Sequence, residues 1–225
     1  MQYVIANWKA NKNYDEARAW CEAFRQTIEA DVPVRNLLDS DTVRIVICPP
    51  FPFIPLLRDR LEPLRNVAIG AQSVSSHEEG AYTAEVTAKS LQGIVEYAII
   101  GHSERRSYYG ETDEDTFMKT QQCSKYGIRP ILCIRGTQDT IHPGVDLIAY
   151  EPVEAIGTGK NMDPGEAASR SKDFALPAGT TFIYGGSVKA DSAHAYLTAS
   201  PIAGLLVGGA SLDPEAFLAI VRAAA

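Results

Sequence analysis

Eight short apolar runs, rich in β-branched residues, punctuate the chain at 3–6, 43–48, 67–71, 97–100, 130–134, 146–150, 181–184 and 204–207. None alternates cleanly between apolar and polar positions. That is the pattern of strands covered on both faces in a parallel sheet. Longer stretches with helical spacing separate the runs. The clearest is 14–30, where Ala17, Trp20, Cys21, Phe24 and Ile28 fall on one face. Further helices are expected at 53–61, 84–92 and 113–126. Asp163-Pro164-Gly165-Glu166 opens another, with a capping Asp, a Pro at the first helical position and a Glu three residues after the cap. Asp213-Pro214-Glu215 opens the last helix, 214–222, in a similar way.

Eight strand–helix units with no low-complexity linker between them imply one domain, built as a closed barrel or a doubly wound sheet. One connection stands out. The stretch 135–145, between the fifth and sixth runs, holds Gly136, Pro143 and Gly144 and is short for a parallel crossover containing a helix. A loop or a single turn is expected there.

Composition narrows the function classes. The 45% hydrophobic fraction allows a sizeable core. With 21 Lys and Arg against 28 Asp and Glu, the net charge is -7, which speaks against general nucleic-acid binding. An anionic small substrate remains compatible, because it needs only a local positive patch. Cys21, Cys48, Cys123 and Cys133 show no CxxC spacing, and no His cluster has metal-ligand spacing. The N-terminal residues do not resemble a secretory leader. No apolar run approaches the ~20 residues of a membrane span. Free thiols, a cytoplasmic location and no membrane association are therefore expected.

The chemistry-bearing residues collect after the apolar runs, where barrels build their active sites. Asn7, Trp8 and Lys9 follow the first run, and Gly101-His102-Ser103-Glu104 the fourth. Glu151-Pro152 follows the sixth, Gly185-Gly186-Ser187 the seventh and Gly208-Gly209 the eighth. Each has an ordinary explanation when taken alone: a solvated lysine, a structural histidine, a strand-ending Glu, a Gly-Gly turn. Their recurrence at equivalent strand ends does not. The glycine pairs leave backbone N–H groups free to approach a phosphate. Lys9 supplies positive charge, His102 can polarise a carbonyl, and Glu151 can move a proton on carbon. Together they point to proton abstraction beside a carbonyl in a phosphorylated substrate.

The same residues carry a resemblance. Asn7-Trp8-Lys9, Gly70-Ala71-Gln72, Gly80-Ala81-Tyr82-Thr83, Gly101-His102-Ser103-Glu104-Arg105-Arg106 and Gly110-Glu111-Thr112 resemble stretches of the triosephosphate isomerase family. So do Ala149-Tyr150-Glu151-Pro152-Val153, Ala155-Ile156-Gly157-Thr158-Gly159-Lys160, Tyr184-Gly185-Gly186-Ser187-Val188 and Leu206-Val207-Gly208-Gly209-Ala210-Ser211-Leu212. They share the family's order along nearly the whole chain. The resemblance implies one (β/α)8 TIM-barrel domain over 1–225, with shortened helical segments after strands 5 and 6. It implies interconversion of dihydroxyacetone phosphate and D-glyceraldehyde 3-phosphate, in glycolysis and gluconeogenesis, with no metal or organic cofactor.

Residue roles follow from the resemblance. Glu151 would shuttle the proton and His102 would be the neutral electrophile. Lys9, with Asn7 beside it, would stabilise the enediolate and the phosphate, and Glu104 would position Lys9. Gly157, Ser187, Gly208 and Gly209 would bind phosphate, and 152–162 would be a lid latched by Tyr184 and Ser187. A Glu base, a neutral His and a water-excluding loop are the division of labour for which this enzyme family is itself the standard illustration, so it is carried over and not read from spacing. The loop 72–85 resembles the family's protruding loop, implying a homodimer, with a tetramer possible.

The chain also departs from the family. Glu154 stands where most members have a tryptophan, and Arg135-Gly136 where a Gly and a Glu are usual. Glu154 is expected at the surface or paired with a cation, with Arg135 the first candidate and Arg129 and Lys160 weaker ones. The competing function is a non-catalytic phosphate-binding barrel, which loss of Glu151, His102 or Lys9 would have favoured. All three are present.

Overall fold

The computed structural model describes residues 1–152 and 162–224. Its strands are β1 (Gln2–Asn7), β2 (Val43–Cys48), β3 (Val67–Ala71), β4 (Tyr97–Ile100), β5 (Arg129–Ile134), β6 (Leu147–Tyr150), β7 (Thr181–Tyr184) and β8 (Ile202–Val207). Each pairs in parallel with the next, and β8 returns to β1 with Tyr3 opposite Gly204 and Ala6 opposite Val207. The sheet is a closed barrel, which resolves the two architectures that the strand–helix alternation allows.

Closure explains the missing alternation. Successive residues of a strand point to opposite faces, and here both faces are buried. Ile5, Val46, Ile99, Ile131, Ala149, Ile183 and Leu206 form one apolar cluster in the barrel interior. Their neighbours Val4, Ile45, Ile100, Leu132, Ile148, Phe182 and Val207 belong to a second cluster, shared with the helices. The interior is tight enough to dictate a glycine: a Cβ at Gly204 would stand 2.5 Å from the Tyr3 carbonyl oxygen. At the strand N-termini Arg129 lies over the Tyr3 ring, donates to its hydroxyl at 2.6 Å and chelates Asp146 at 2.9 and 3.0 Å.

The outer helices are α1 (Tyr14–Ala30), α2 (Val32–Asp39), α3 (Ile54–Leu61), α4 (Ala88–Leu91), α5 (Ser103–Tyr109), α6 (Asp113–Lys125), α7 (Pro164–Arg170), α8 (Ala190–Leu197) and α9 (Pro214–Arg222). A capping box opens α1: the Asn13 side chain accepts from the Glu16 amide at 3.0 Å, and Glu16 accepts from the Asn13 amide at 2.8 Å. Such a cap contributes about 1 kcal/mol. The apolar face of α1 puts Trp20 against Trp8, just beyond β1, and Phe24 against Phe217 of α9.

Three helices lie outside the periodic stretches. Asp31 ends α1 and at the same time caps α2, accepting from the Val34 amide at 3.0 Å, so one residue turns the chain between two helices. The helices α5 and α8 follow the His102 and Gly186 motifs, where the polar residues serve the barrel mouth instead of an amphipathic stripe. The expected helix over 84–92 shrinks to α4, because Ala84 takes φ 74° and the Ser75 amide donates to the Val86 carbonyl at 2.8 Å. No helix forms over 135–146, and among the described residues the α-helix between β6 and β7 is the seven-residue α7. The outer layer is thus trimmed at the two places the sequence indicates.

Candidate active site

Lys9 leaves β1 in an uncommon backbone conformation, φ 52°, in the left-handed region that non-glycine residues seldom occupy. Its neighbours hold it there. The Asn7 side-chain oxygen accepts from the Lys9 amide at 3.0 Å, and Gln72, beyond β3, donates its Nε2 to the carbonyls of Lys9 and Cys48, each at 2.9 Å. The Lys9 ammonium then meets Glu104 Oε1 at 2.7 Å. Both side chains are 35% exposed, so this ion pair contributes little to stability, about 0–1 kcal/mol. What it does is aim the ammonium.

His102 is the N-cap of α5. Its Nδ1 accepts from the Glu104 amide at 3.2 Å, which leaves Nε2 to carry the ring proton of the neutral form. Nε2 points at Glu151 Oε1, 2.9 Å away. The other carboxylate oxygen of Glu151 accepts from the Ser103 amide at 2.7 Å. Glu151 directly follows β6, and its own amide donates to the Ile134 carbonyl at 2.8 Å. His102 is 7% exposed and Glu151 2%. Burial lowers the His102 pKa, but the charge of Glu151 and the hydrogen bond to it raise it, Glu104 adds to that, and the net direction is upward. A molecule inserted between ring and carboxylate would remove the main upward cause.

Asn7, Lys9, His102 and Glu151 line one cavity of about 610 Å³ together with Gly186, Ser187, Gly208 and Gly209. Gly209 opens a 3₁₀ turn, Gly209–Leu212. The Gly208 carbonyl is committed to that turn, accepting from the Ser211 amide at 2.8 Å and its hydroxyl at 2.7 Å. One expectation needs correction. Gly185 does not offer a free amide, because it donates to the Tyr150 carbonyl at 2.7 Å and extends the β6–β7 ladder. Of the glycines expected to be free, Gly185 is thus tied into the sheet. A buried carboxylate, an imidazole N–H, an ammonium and a glycine-lined wall suit proton transfer on an anionic carbonyl compound.

The comparisons agree in kind. The family profile described as Triosephosphate isomerase matches residues 2–224. A protein of Thermus thermophilus named triosephosphate isomerase is 37% identical, covering 98% of each chain. The one from Symbiobacterium thermophilum is 38% identical over 99% of this chain and 96% of its own. The chain belongs to the triosephosphate isomerase family.

In this member of the triosephosphate isomerase family, Gly157, Glu154, Lys160 and the greater part of the expected lid lie outside the described residues. Arg135, the first partner considered for Glu154, grips Asp139 through Nε at 2.9 Å and Nη2 at 2.6 Å. Arg129 is held by Asp146. Three contributors escape the strand-end reading: Ser103 and Gln72, which act through a backbone amide and through another residue's backbone, and Cys133. The Cys133 thiol is buried beside Glu151, and burial together with that charge pushes its pKa well up. Gln72 and Ser103 sit within motifs quoted above and Cys133 within the fifth apolar run, so the signal was positional, without a chemistry of its own to mark it.

Proposed function

We propose that the chain isomerises dihydroxyacetone phosphate and D-glyceraldehyde 3-phosphate through an enediolate. The observation that carries this is the convergence of Glu151, His102 Nε2 and the Lys9 ammonium on one cavity that Gly186-Ser187 and Gly208-Gly209 also line. With the phosphate against the glycine wall, the substrate carbonyl falls between His102 and Lys9. Glu151 takes a proton from the adjacent carbon and returns it to the other. A carboxylate is a weak base in water, and here it is also held by two donors. Substrate entering the cavity would take the place of those donors and of the water around the carboxylate. His102 N–H and the Lys9 ammonium stabilise the oxyanion as it forms.

Only protons move, so the purified chain should turn over without added metal or cofactor. A coupled assay starting from glyceraldehyde 3-phosphate tests this directly, and absence of turnover in correctly folded protein would refute it. We further place the reaction in glycolysis and gluconeogenesis, in the cytoplasm, by a homodimer. The four buried thiols support a reducing compartment. Exposed Tyr82, Tyr108 and Tyr109, on and near the 72–85 loop, support a partner surface. No helix among the described residues is long and apolar enough to cross a membrane.

A further inference from the structure

Two tyrosines stand behind the glycine wall. Tyr184 ends β7 and Tyr196 lies in the last turn of α8. Their rings stack with centroids 4.4 Å apart and planes 10° apart, and both residues are buried. Tyr184 reaches towards Gly186: a Cβ there would stand 2.2 Å from its hydroxyl oxygen, so only glycine fits against it. Tyr196 runs alongside it, the two hydroxyls close together beside Met162, and the Tyr196 hydroxyl donates to the Met162 carbonyl. Met162 is the first described residue after 153–161. Asp163 follows at once as the cap of α7, accepting from the amides of Gly165 at 2.9 Å and Glu166 at 3.1 Å. The stacked pair thus joins the far end of the connection after β6 to the glycines after β7, and Tyr196 is the member that holds the Met162 carbonyl.

The geometry assigns Tyr196 as a positioning residue: through its hydroxyl on Met162 and its ring on Tyr184, it sets where the connection after β6 rejoins the barrel relative to the proposed phosphate site at Gly186. The assignment rests on the isomerase reading above. Its reason is mechanical. The connection leaves the barrel at Glu151-Pro152 and returns at Met162, whose carbonyl Tyr196 holds while its ring rests on Tyr184, the residue packed against Gly186. A fixed return point holds the two ends in register. An apolar side chain at 196 would fill the same space against Tyr184 but could not hold a carbonyl.

Tyr196→Phe keeps the ring and removes the hydroxyl, so it separates holding from filling. The measurements are KM and kcat for glyceraldehyde 3-phosphate, the calorimetric Kd for inorganic phosphate, the thermal midpoint, and the rate of tryptic cleavage after Lys160. We expect KM and the phosphate Kd to rise about threefold to tenfold, the range of one lost hydrogen bond. Cleavage after Lys160 should accelerate by a similar factor while the midpoint barely moves. Tyr196→Leu should show the same losses together with a lower midpoint. Tyr196→Phe protein with wild-type KM and phosphate Kd overturns the assignment whatever its midpoint, because the residue would then only fill space. If the wild-type chain lacks isomerase activity, the isomerase reading fails, and phosphate affinity and the tryptic rate still decide the role of Tyr196.

Discussion

The Glu151 carboxylate is almost wholly removed from water and carries two donors, the Ser103 amide and His102 Nε2. In the proposed reaction it exchanges those contacts for the substrate's carbon acid. Glu151→Gln keeps the volume and one acceptor but cannot take a proton. Its kcat should drop by at least about a hundredfold, the low end for an essential acid–base group. Inorganic phosphate should bind as in the wild type, since the glycine wall is untouched. A Gln variant retaining a tenth of wild-type kcat would move the base elsewhere. Lys9 and Glu104 illustrate a different balance. Their half-exposed ion pair is too weakly stabilising to be there for the fold, whereas the φ of Lys9 costs something that only the placement of its ammonium explains.

Among the connecting elements, the stretch after β5 has lost its helix and is held by charge instead. Asp139, with a side chain 2% exposed, accepts from the Arg135 amide at 2.7 Å and from its guanidinium, and lies 3.7 Å from Arg106. Thr140 donates its amide and hydroxyl to Asp113, at 3.1 and 2.5 Å, and Arg106 binds the same carboxylate at 2.7 Å. Removing one member of a buried ionic group leaves the others uncompensated, at about 3–5 kcal/mol. Asp139→Ala should therefore lower the urea-derived stability by about 3 kcal/mol; a loss below about 1 kcal/mol, the level of a surface pair, would show that the network does not hold this segment.

His142 closes the same stretch, buried and 2.8 Å from the Thr116 hydroxyl through Nε2. Burial lowers its pKa below the ordinary 6.5, with Asp113 opposing and Arg106 assisting. The unfolded chain then binds its proton first. The contribution of a neutral His142 is complete above pH 6.5 and is lost as pH falls through the window beneath it. His102, raised, acts in the opposite sense but is common to wild type and variant. The stability advantage of wild type over His142→Gln should shrink between pH 7 and pH 5, as followed by thermal midpoints; a constant difference would contradict it.

For the molecule as a whole, closing β8 onto β1 leaves no sheet edge for assembly, so a partner has to use the loops or the outer helices. Tyr108 and Tyr109, 78% and 73% exposed, stand near a cavity of about 370 Å³ lined by His77, Tyr82, Arg105, Glu111 and Lys119. These residues lie on and beside the loop proposed to dock on a second copy. Light scattering at micromolar concentration should return at least twice the 24.4 kDa chain mass. A fully active monomer would disprove the dimer.

Some of this was written in the order of residues. The strand runs were legible because burial on both faces leaves an unbroken apolar signature, and β2, β3, β4 and β7 begin and end where that signature does. Helix α1 was legible because its caps and its stripe agree. Lys9, His102 and Glu151 could be named because their chemistry is local to each side chain and each sits at a strand end. Pairings between distant segments were not legible. Nothing in the linear chain says that Gln72 holds Lys9, that Asp139 takes Arg135, or that Tyr196 finds Met162. Those contacts depend on where barrel closure brings separate connections together at one rim. Gly185 shows the same limit, since its amide is claimed by Tyr150, a partner that exists only once β6 and β7 lie side by side.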